Sequence, residues 1–228
     1  MTLRAVIFDL DGTLVDSEPL WARAETEVAA RGGITWSIEE AMACFGKPLT
    51  LTIQAIIDKG LDLTIDEAVD QMLEAMTSFY HHGVPWLPGA LELLHALREE
   101  SIPTALGTMS YRRLAAQVQV AAPEGSLCVT VTGDEINHGK PDPEVFVTAA
   151  AQLGLSPSEV LIVEDSPTGI GAAVAAGATV LAVPPNDGVY YEVVNQCPVN
   201  LVRSLTQVDT NLLYSIHAGN RIDLWHRH

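Results

Sequence analysis

The feature that most constrains how this chain can fold is the repeated alternation of short apolar runs with segments of helical period. Residues 4–8, 103–107, 127–132, 160–163 and 179–183 are each apolar or β-branched, and each stops at acidic, hydroxyl or glycine residues or at proline. Runs of that length with no polar alternation fit strands buried on both faces, as in a parallel sheet. Helix-period segments separate most of them. In residues 89–100 the apolar positions Ala90, Leu93, Leu94 and Leu97 share one face. In residues 143–153, Val145, Phe146, Ala149, Ala150 and Leu153 do the same before Gly154 ends the helix. Strands alternating with helices predict an α/β fold, a doubly wound parallel sheet with helices on both faces.

Residues 16–85 break this rhythm. They carry helical patterns at 20–31, 49–59 and 66–82 and no convincing strand. The segment reads as an all-helical insertion leaving after the first strand. It returns through Val84-Pro85-Trp86-Leu87-Pro88-Gly89, where two prolines and a glycine give a stiff hinge. The expected organisation is therefore a core of residues 1–15 and 86–208, a small helical domain of 16–85, and residues 209–228 as a last helix, a packed tail or a partly disordered end. A chain of 228 residues, 48% apolar, can bury a core of that size and a second small unit.

Charge and cysteine use narrow the partners. With 29 acidic against 12 basic residues the formal charge is −17, which repels nucleic-acid phosphates, and no basic stripe offsets it. The same field repels a phosphorylated metabolite, so any phosphate site must supply its own local positive charge. No apolar stretch is long enough to cross a bilayer, and Met1-Thr2-Leu3-Arg4 runs straight into the first strand, leaving no room for a signal peptide. A cytoplasmic protein without nucleic-acid or membrane partners is expected; the oligomeric state is open. Cys44, Cys128 and Cys197 are odd in number and widely spaced, and read as reduced, buried small hydrophobes.

Chemistry concentrates where strands end. In Asp9-Leu10-Asp11-Gly12-Thr13 two carboxylates stand two residues apart at the C-terminal edge of the first strand, the edge where open α/β sheets bind ligands. A carboxylate there can attack phosphorus, and its neighbour can protonate the leaving oxygen and later deprotonate water. An Asp-Gly pair alone is an ordinary turn, and Gly12 allows a sharp one. Yet Val163-Glu164-Asp165-Ser166-Pro167 repeats the arrangement at another strand end. Two acid clusters on one sheet edge repel each other unless a hard divalent cation lies between them, and magnesium is the natural candidate. Lys140, in Gly139-Lys140-Pro141-Asp142-Pro143, offers an ammonium that stabilises both a carboxylate nucleophile and an incoming phosphate. Thr108, with the backbone amides of Met109 and Ser110, can bind phosphate oxygens at a further strand end.

In order and spacing these four segments resemble the haloacid dehalogenase-like (HAD) phosphatases, from Val6 to about Leu205. The resemblance implies a Rossmann-like core, Asp9 as nucleophile, Asp11 as general acid and base, and Thr108 and Lys140 as phosphate and intermediate stabilisers. It implies Asp165, Asp9 and the Asp11 carbonyl as magnesium ligands, with Glu164 as an outer-shell acid. The helical insertion after Asp16-Ser17-Glu18 is similar to the cap of sugar-phosphate phosphatases and β-phosphoglucomutases. Asp11 with Asp165 argues against carbon–halogen chemistry, which needs neither group. The cap loop reads Phe45-Gly46-Lys47-Pro48-Leu49; a phosphonatase places its lysine further on, and a phosphomutase carries an arginine after the glycine. Hydrolysis of a small phosphomonoester, a sugar phosphate, is the expected reaction. Gly12, Met109, Ser110, Gly46 and Lys47 are candidate substrate contacts, with a phosphomutase or a non-catalytic binding protein on the same fold as alternatives. His81-His82 and His226-Arg227-His228 lack companion ligands, and the four tryptophans read as packing residues. His138 stands close enough in sequence to Lys140 to approach the site.

Overall fold

A computed structural model describes residues 3–44, 49–185 and 199–225. These form two compact units, one within Met1–Val15 and Trp86–His228 and one within Asp16–Pro85.

The first unit is built on a six-stranded, all-parallel sheet. Its strands are β1 (Ala5–Phe8), β2 (Thr104–Gly107), β3 (Val129–Val131), β4 (Val160–Glu164), β5 (Thr179–Ala182) and β6 (Asn200–Leu201). They lie in the order β3-β2-β1-β4-β5-β6, so the direction of winding reverses between β1 and β4. The register across that boundary pairs Val6 with Leu161 and Phe8 with Val163. Every residue of β1 and β4 is buried, which explains why both runs are apolar up to Glu164 at the end of β4: both faces are covered.

One face packs against α7 (Glu144–Gln152) and α8 (Pro167–Ala176). There Ile7, Ile162 and Val180 meet Phe146, Ala149, Ala150, Ile170, Ala172 and Ala173 in one core. Alanines on both helices let their backbones approach the sheet closely, and Ser166 starts α8 by accepting a hydrogen bond from the Gly169 amide. The other face carries α5 (Ala90–Glu99), whose Leu93, Leu94 and Leu97 are buried, and α9 (Thr210–His217), which packs on α5 and β4. The segment after Asp209 is thus a short helix followed by a bridge between Leu201 and Asp223. A further helix, α6 (Arg112–Ala121), connects β2 to β3.

The second unit holds α1 (Glu18–Arg31), α2 (Ile38–Met42), α3 (Leu49–Asp58) and α4 (Ile65–Tyr80). Capping boxes fix two helix starts: Ser37 with Glu40, and Thr64 with Glu67. The pattern that marks α4 in sequence is its buried stripe, including Ala68, Val69, Met72, Leu73 and Met76. Trp36 is buried and donates its indole N–H to Glu25 at 3.0 Å.

Two expectations need correction. Cys128 is exposed, because it stands in the loop entering edge strand β3, where its thiol donates to the Thr104 carbonyl at 3.3 Å. Cys44 is half-buried, and Cys197 lies outside the described residues. The strand Asn200–Leu201 and the helices Ile38–Met42 and Arg112–Ala121 carry too short or too mixed a pattern to be read from periodicity. Among the described residues no helix is long and apolar enough to cross a membrane.

Candidate active site

The loops leaving β1, β2 and β4 bring Asp9, Asp11, Thr108, Ser110, Glu164 and Asp165 to the C-terminal edge of the sheet, beside the reversal between β1 and β4. This is the position that a doubly wound sheet offers a ligand. The Asp9 amide donates to the Val163 carbonyl at 3.0 Å, extending the β1–β4 pairing one residue beyond the strand and fixing the first carboxylate. The Thr108 amide does the same with Val131 at 3.1 Å.

At the centre lies a buried charge cluster. Lys140 Nζ donates to Asp9 Oδ1 at 2.5 Å and to Glu164 Oε1 at 2.8 Å, with its ammonium 4.7 Å from the centre of the Phe146 ring. The side chains of Lys140, Asp9 and Glu164 are 5%, 8% and 1% exposed, so water screens these charges little. Burial pushes the Asp9 carboxyl up to about 8; Lys140 opposes that rise, while Glu164 and Asp11 add to it. Burial and the neighbouring Glu164 and Asp9 likewise hold Asp165 well above the carboxylate range. For Lys140, burial disfavours the charge, but Asp9 and Glu164 outweigh it and raise the ammonium above its ordinary value.

Asp9, Glu164 and Asp165 each offer an oxygen within 4.8 Å of the others. Three buried carboxylates against one ammonium leave an excess of negative charge, which adds to the effect of burial in raising Asp9 and Asp165. An all-oxygen set of this kind suits a hard divalent cation. Asp11 lies outside this carboxylate group; its Oδ2 accepts the Ser110 hydroxyl at 2.5 Å.

Supporting residues set the geometry. The Thr13 hydroxyl donates to Asp165 Oδ1 at 3.0 Å. Glu164 Oε2 accepts the Ser166 amide at 2.7 Å and the Ser166 hydroxyl at 3.1 Å. Thr108 Oγ1 accepts the Ser110 amide at 3.0 Å. Gly12 has φ +78°, and a Cβ there would stand 2.3 Å from Asp165 Oδ2, so both backbone and space require glycine. Gly169 lies in the first turn of α8. Its closest approach is to Glu164: a Cβ would fall 1.5 Å from Oε1, so the missing side chain makes room for that carboxylate.

Met109 is 41% exposed and rests against Gly139, whose Cβ would lie 2.8 Å from Met109 Cε. His138 is exposed and turns to Glu144, at 2.9 Å. With Asp142 it forms a second group of potential metal ligands, but Glu144 also accepts the Asn137 and His138 amides and so serves to tie down the loop before Lys140. Gly46 and Lys47 lie outside the described residues. Thr13 and Ser166 are supporting residues that motif reading missed: the partner of Thr13 is 152 positions away, and the bond from Ser166 to Glu164 depends on how the chain turns after β4. Of the two, Thr13 carries a signal in sequence, as the hydroxyl that follows the Asp-Gly pair.

Residues 3–177 match the family model described as haloacid dehalogenase-like hydrolase. Hexitol phosphatase A of Escherichia coli (strain K12) is 35% identical over 187 residues, 80% of this chain and 84% of that protein. Fructose-1-phosphate phosphatase of the same organism is 32% identical over 75% of this chain and 92% of its own length. A crystal structure of a Thermotoga maritima protein, described as a candidate β-phosphoglucomutase, superposes with a TM-score of 0.75 at 26% identity, covering 92% of this chain and 98% of that one.

Proposed function

The chain belongs to the haloacid dehalogenase-like hydrolase family, and on that footing we propose that it hydrolyses small sugar phosphates, with magnesium, through a phosphoryl group carried transiently on Asp9. The observation that carries this reading is Lys140, buried and bonded to both Asp9 and Glu164 at the sheet edge. In a chain of charge −17 it supplies the local positive charge that a phosphate site demands.

The chemistry follows from what each group can do. An Asp9 carboxylate oxygen attacks phosphorus, forming a P–O bond as the bond to the sugar oxygen breaks. Asp11 gives its proton to that oxygen, and then accepts a proton from the water that attacks the aspartyl phosphate, releasing inorganic phosphate and regenerating both carboxyl groups. The Thr108 hydroxyl and the Met109 amide hold phosphate oxygens, the Ser110 amide being engaged with Thr108 Oγ1, while Lys140 neutralises charge as it moves onto them. Asp9, Asp165 and the Asp11 carbonyl would hold magnesium, with Glu164 behind them. When bound, the ion screens the repulsion between carboxylate and phosphate and polarises the phosphoryl group. It also favours the ionised form of Asp9, which burial otherwise disfavours.

The sugar-phosphate class is supported by the names of the two phosphatase relatives, each more than 30% identical over at least three quarters of this chain. Hydrolysis is preferred to phosphoryl transfer between sugar positions for the same reason. The helical unit Asp16–Pro85 is proposed as the cap that selects the sugar, with Gly46 and Lys47 as contacts.

The test is a panel of hexose, hexitol and pentose phosphates with p-nitrophenyl phosphate, assayed for phosphate release with magnesium and with a chelator. Release is expected with magnesium only, and in Asp9→Asn it should fall by roughly a thousandfold or more with the fold intact. Equal turnover in the chelator, or normal turnover in Asp9→Asn, contradicts the proposal.

A further inference from the structure

Ser110 stands where a contact to the substrate's phosphate is expected, yet its hydroxyl is directed at Asp11, donating to Oδ2 at 2.5 Å. Its main chain is anchored on both sides. The amide donates to Thr108 Oγ1 at 3.0 Å, and the carbonyl accepts the Gly133 amide at 3.1 Å. Gly133 is packed so tightly on this turn that a Cβ would lie 2.4 Å from the Met109 carbonyl oxygen. Ser110 itself is 6% exposed. The hydroxyl is therefore a fixed donor on a rigid mount, at the end of the strand next to the one that carries Asp11.

Asp11 is half-buried and sits in the turn closed by Gly12. A group that must give a proton to one oxygen and take it from another needs its carboxyl plane held within hydrogen-bond reach of both. A carboxylic acid that accepts a hydrogen bond at Oδ2 carries its own proton on Oδ1. A donor fixed at Oδ2 thus favours one plane of the carboxyl group and leaves Oδ1 to exchange the proton.

We propose that Ser110 is a positioning residue for proton transfer, its hydroxyl orienting the Asp11 carboxyl group, and that it acts through Asp11 and not by binding phosphate. This rests on the reading of Asp11 as general acid and base. The bond is local to the core unit and joins side chains 99 positions apart in sequence, which is why no motif spacing reveals it.

The experiment compares wild type, Ser110→Ala, Ser110→Thr, Asp11→Asn and the Ser110→Ala/Asp11→Asn double variant, with magnesium, on a hexose phosphate and on p-nitrophenyl phosphate. In Ser110→Ala, kcat for the hexose phosphate should fall about ten- to hundredfold with KM within about twofold of wild type. The first step, read as the burst of p-nitrophenol, should fall less, because that leaving group departs without protonation. Ser110→Thr keeps the donor and should recover most of the loss. On the Asp11→Asn background, Ser110→Ala should cost little more, since both remove the same function.

A rise in KM on both substrates with kcat unchanged makes Ser110 a phosphate contact and overturns the proposal. So do losses that multiply in the double variant, or wild-type kinetics in Ser110→Ala. If the wild type releases no phosphate from any ester, the proposed function fails first and this role fails with it.

Discussion

Lys140 shows what a single residue does in a strongly acidic chain. Its ammonium sits between Asp9 and Glu164, and without it three buried carboxylates would face one another. Even with it, burial holds the Asp9 carboxyl up at about 8. A second buried acid has no ammonium partner among the described residues. Glu25 is 4% exposed, and burial pushes its carboxyl up to about 7, against the pull of the Trp36 N–H. Its folded value lies above the unfolded one, so folding favours the protonated form. The associated stability is fully present below the unfolded value of 4.5 and is lost as pH rises through about 7. The loss is on the order of 3 kcal/mol when complete. Urea unfolding of the wild type followed across that window should show the decline, and Glu25→Gln, which keeps an acceptor for Trp36, should flatten it. An unchanged slope in Glu25→Gln would remove Glu25 as the cause.

At the scale of elements, the site depends on how closely α8 approaches the end of β4. Gly169 leaves no atoms where Glu164 Oε1 lies, and Ser166, which caps the same helix, holds the other oxygen. Gly169→Ala must therefore displace the carboxylate or the helix. Magnesium affinity should fall about ten- to hundredfold, the range seen when support behind a metal ligand is lost. Unfolding stability should drop by about 1–3 kcal/mol from overpacking. Titration of activity against magnesium measures the first, and affinity equal to wild type would contradict this account of Gly169. The same pair shows where sequence reading stops. The glycine is visible in Pro167-Thr168-Gly169, and its small size suggests close packing, but the carboxylate that a Cβ would overlap is a side chain whose direction depends on the register of β4. Strands β1, β2, β4 and β5 are legible because each is a short apolar run buried on both faces. Helix α6 is not, since its apolar positions Leu114, Ala115 and Val118 are interleaved with arginine and glutamine, and β6 is only Asn200–Leu201. The acids at the strand ends could be placed on one edge from sequence, but not the bond from Ser110 to Asp11.

For the whole molecule, the order β3-β2-β1-β4-β5-β6 accounts for the site's location. Winding outward in both directions from β1 and β4 opens a crevice beside their C-terminal ends, and both acid clusters lie there because both follow those strands. Alternation of strands and helices was enough to foresee a parallel sheet, whereas strand order rests on crossovers that pattern alone does not specify. The helical unit Asp16–Pro85 enters between Val15 and Trp86, which pair with each other, so the insertion interrupts the core without disturbing the sheet. The central claim is that Asp9 carries the phosphoryl group. It is tested most directly by mixing the protein with magnesium and a hexose phosphate, quenching in acid within one turnover, and mapping peptides by mass spectrometry. The account predicts the added mass of one phosphoryl group on the peptide containing Asp9, and none in the chelator or in Asp9→Asn. Phosphate release without that adduct at Asp9, or with the phosphoryl group on another residue, would contradict it.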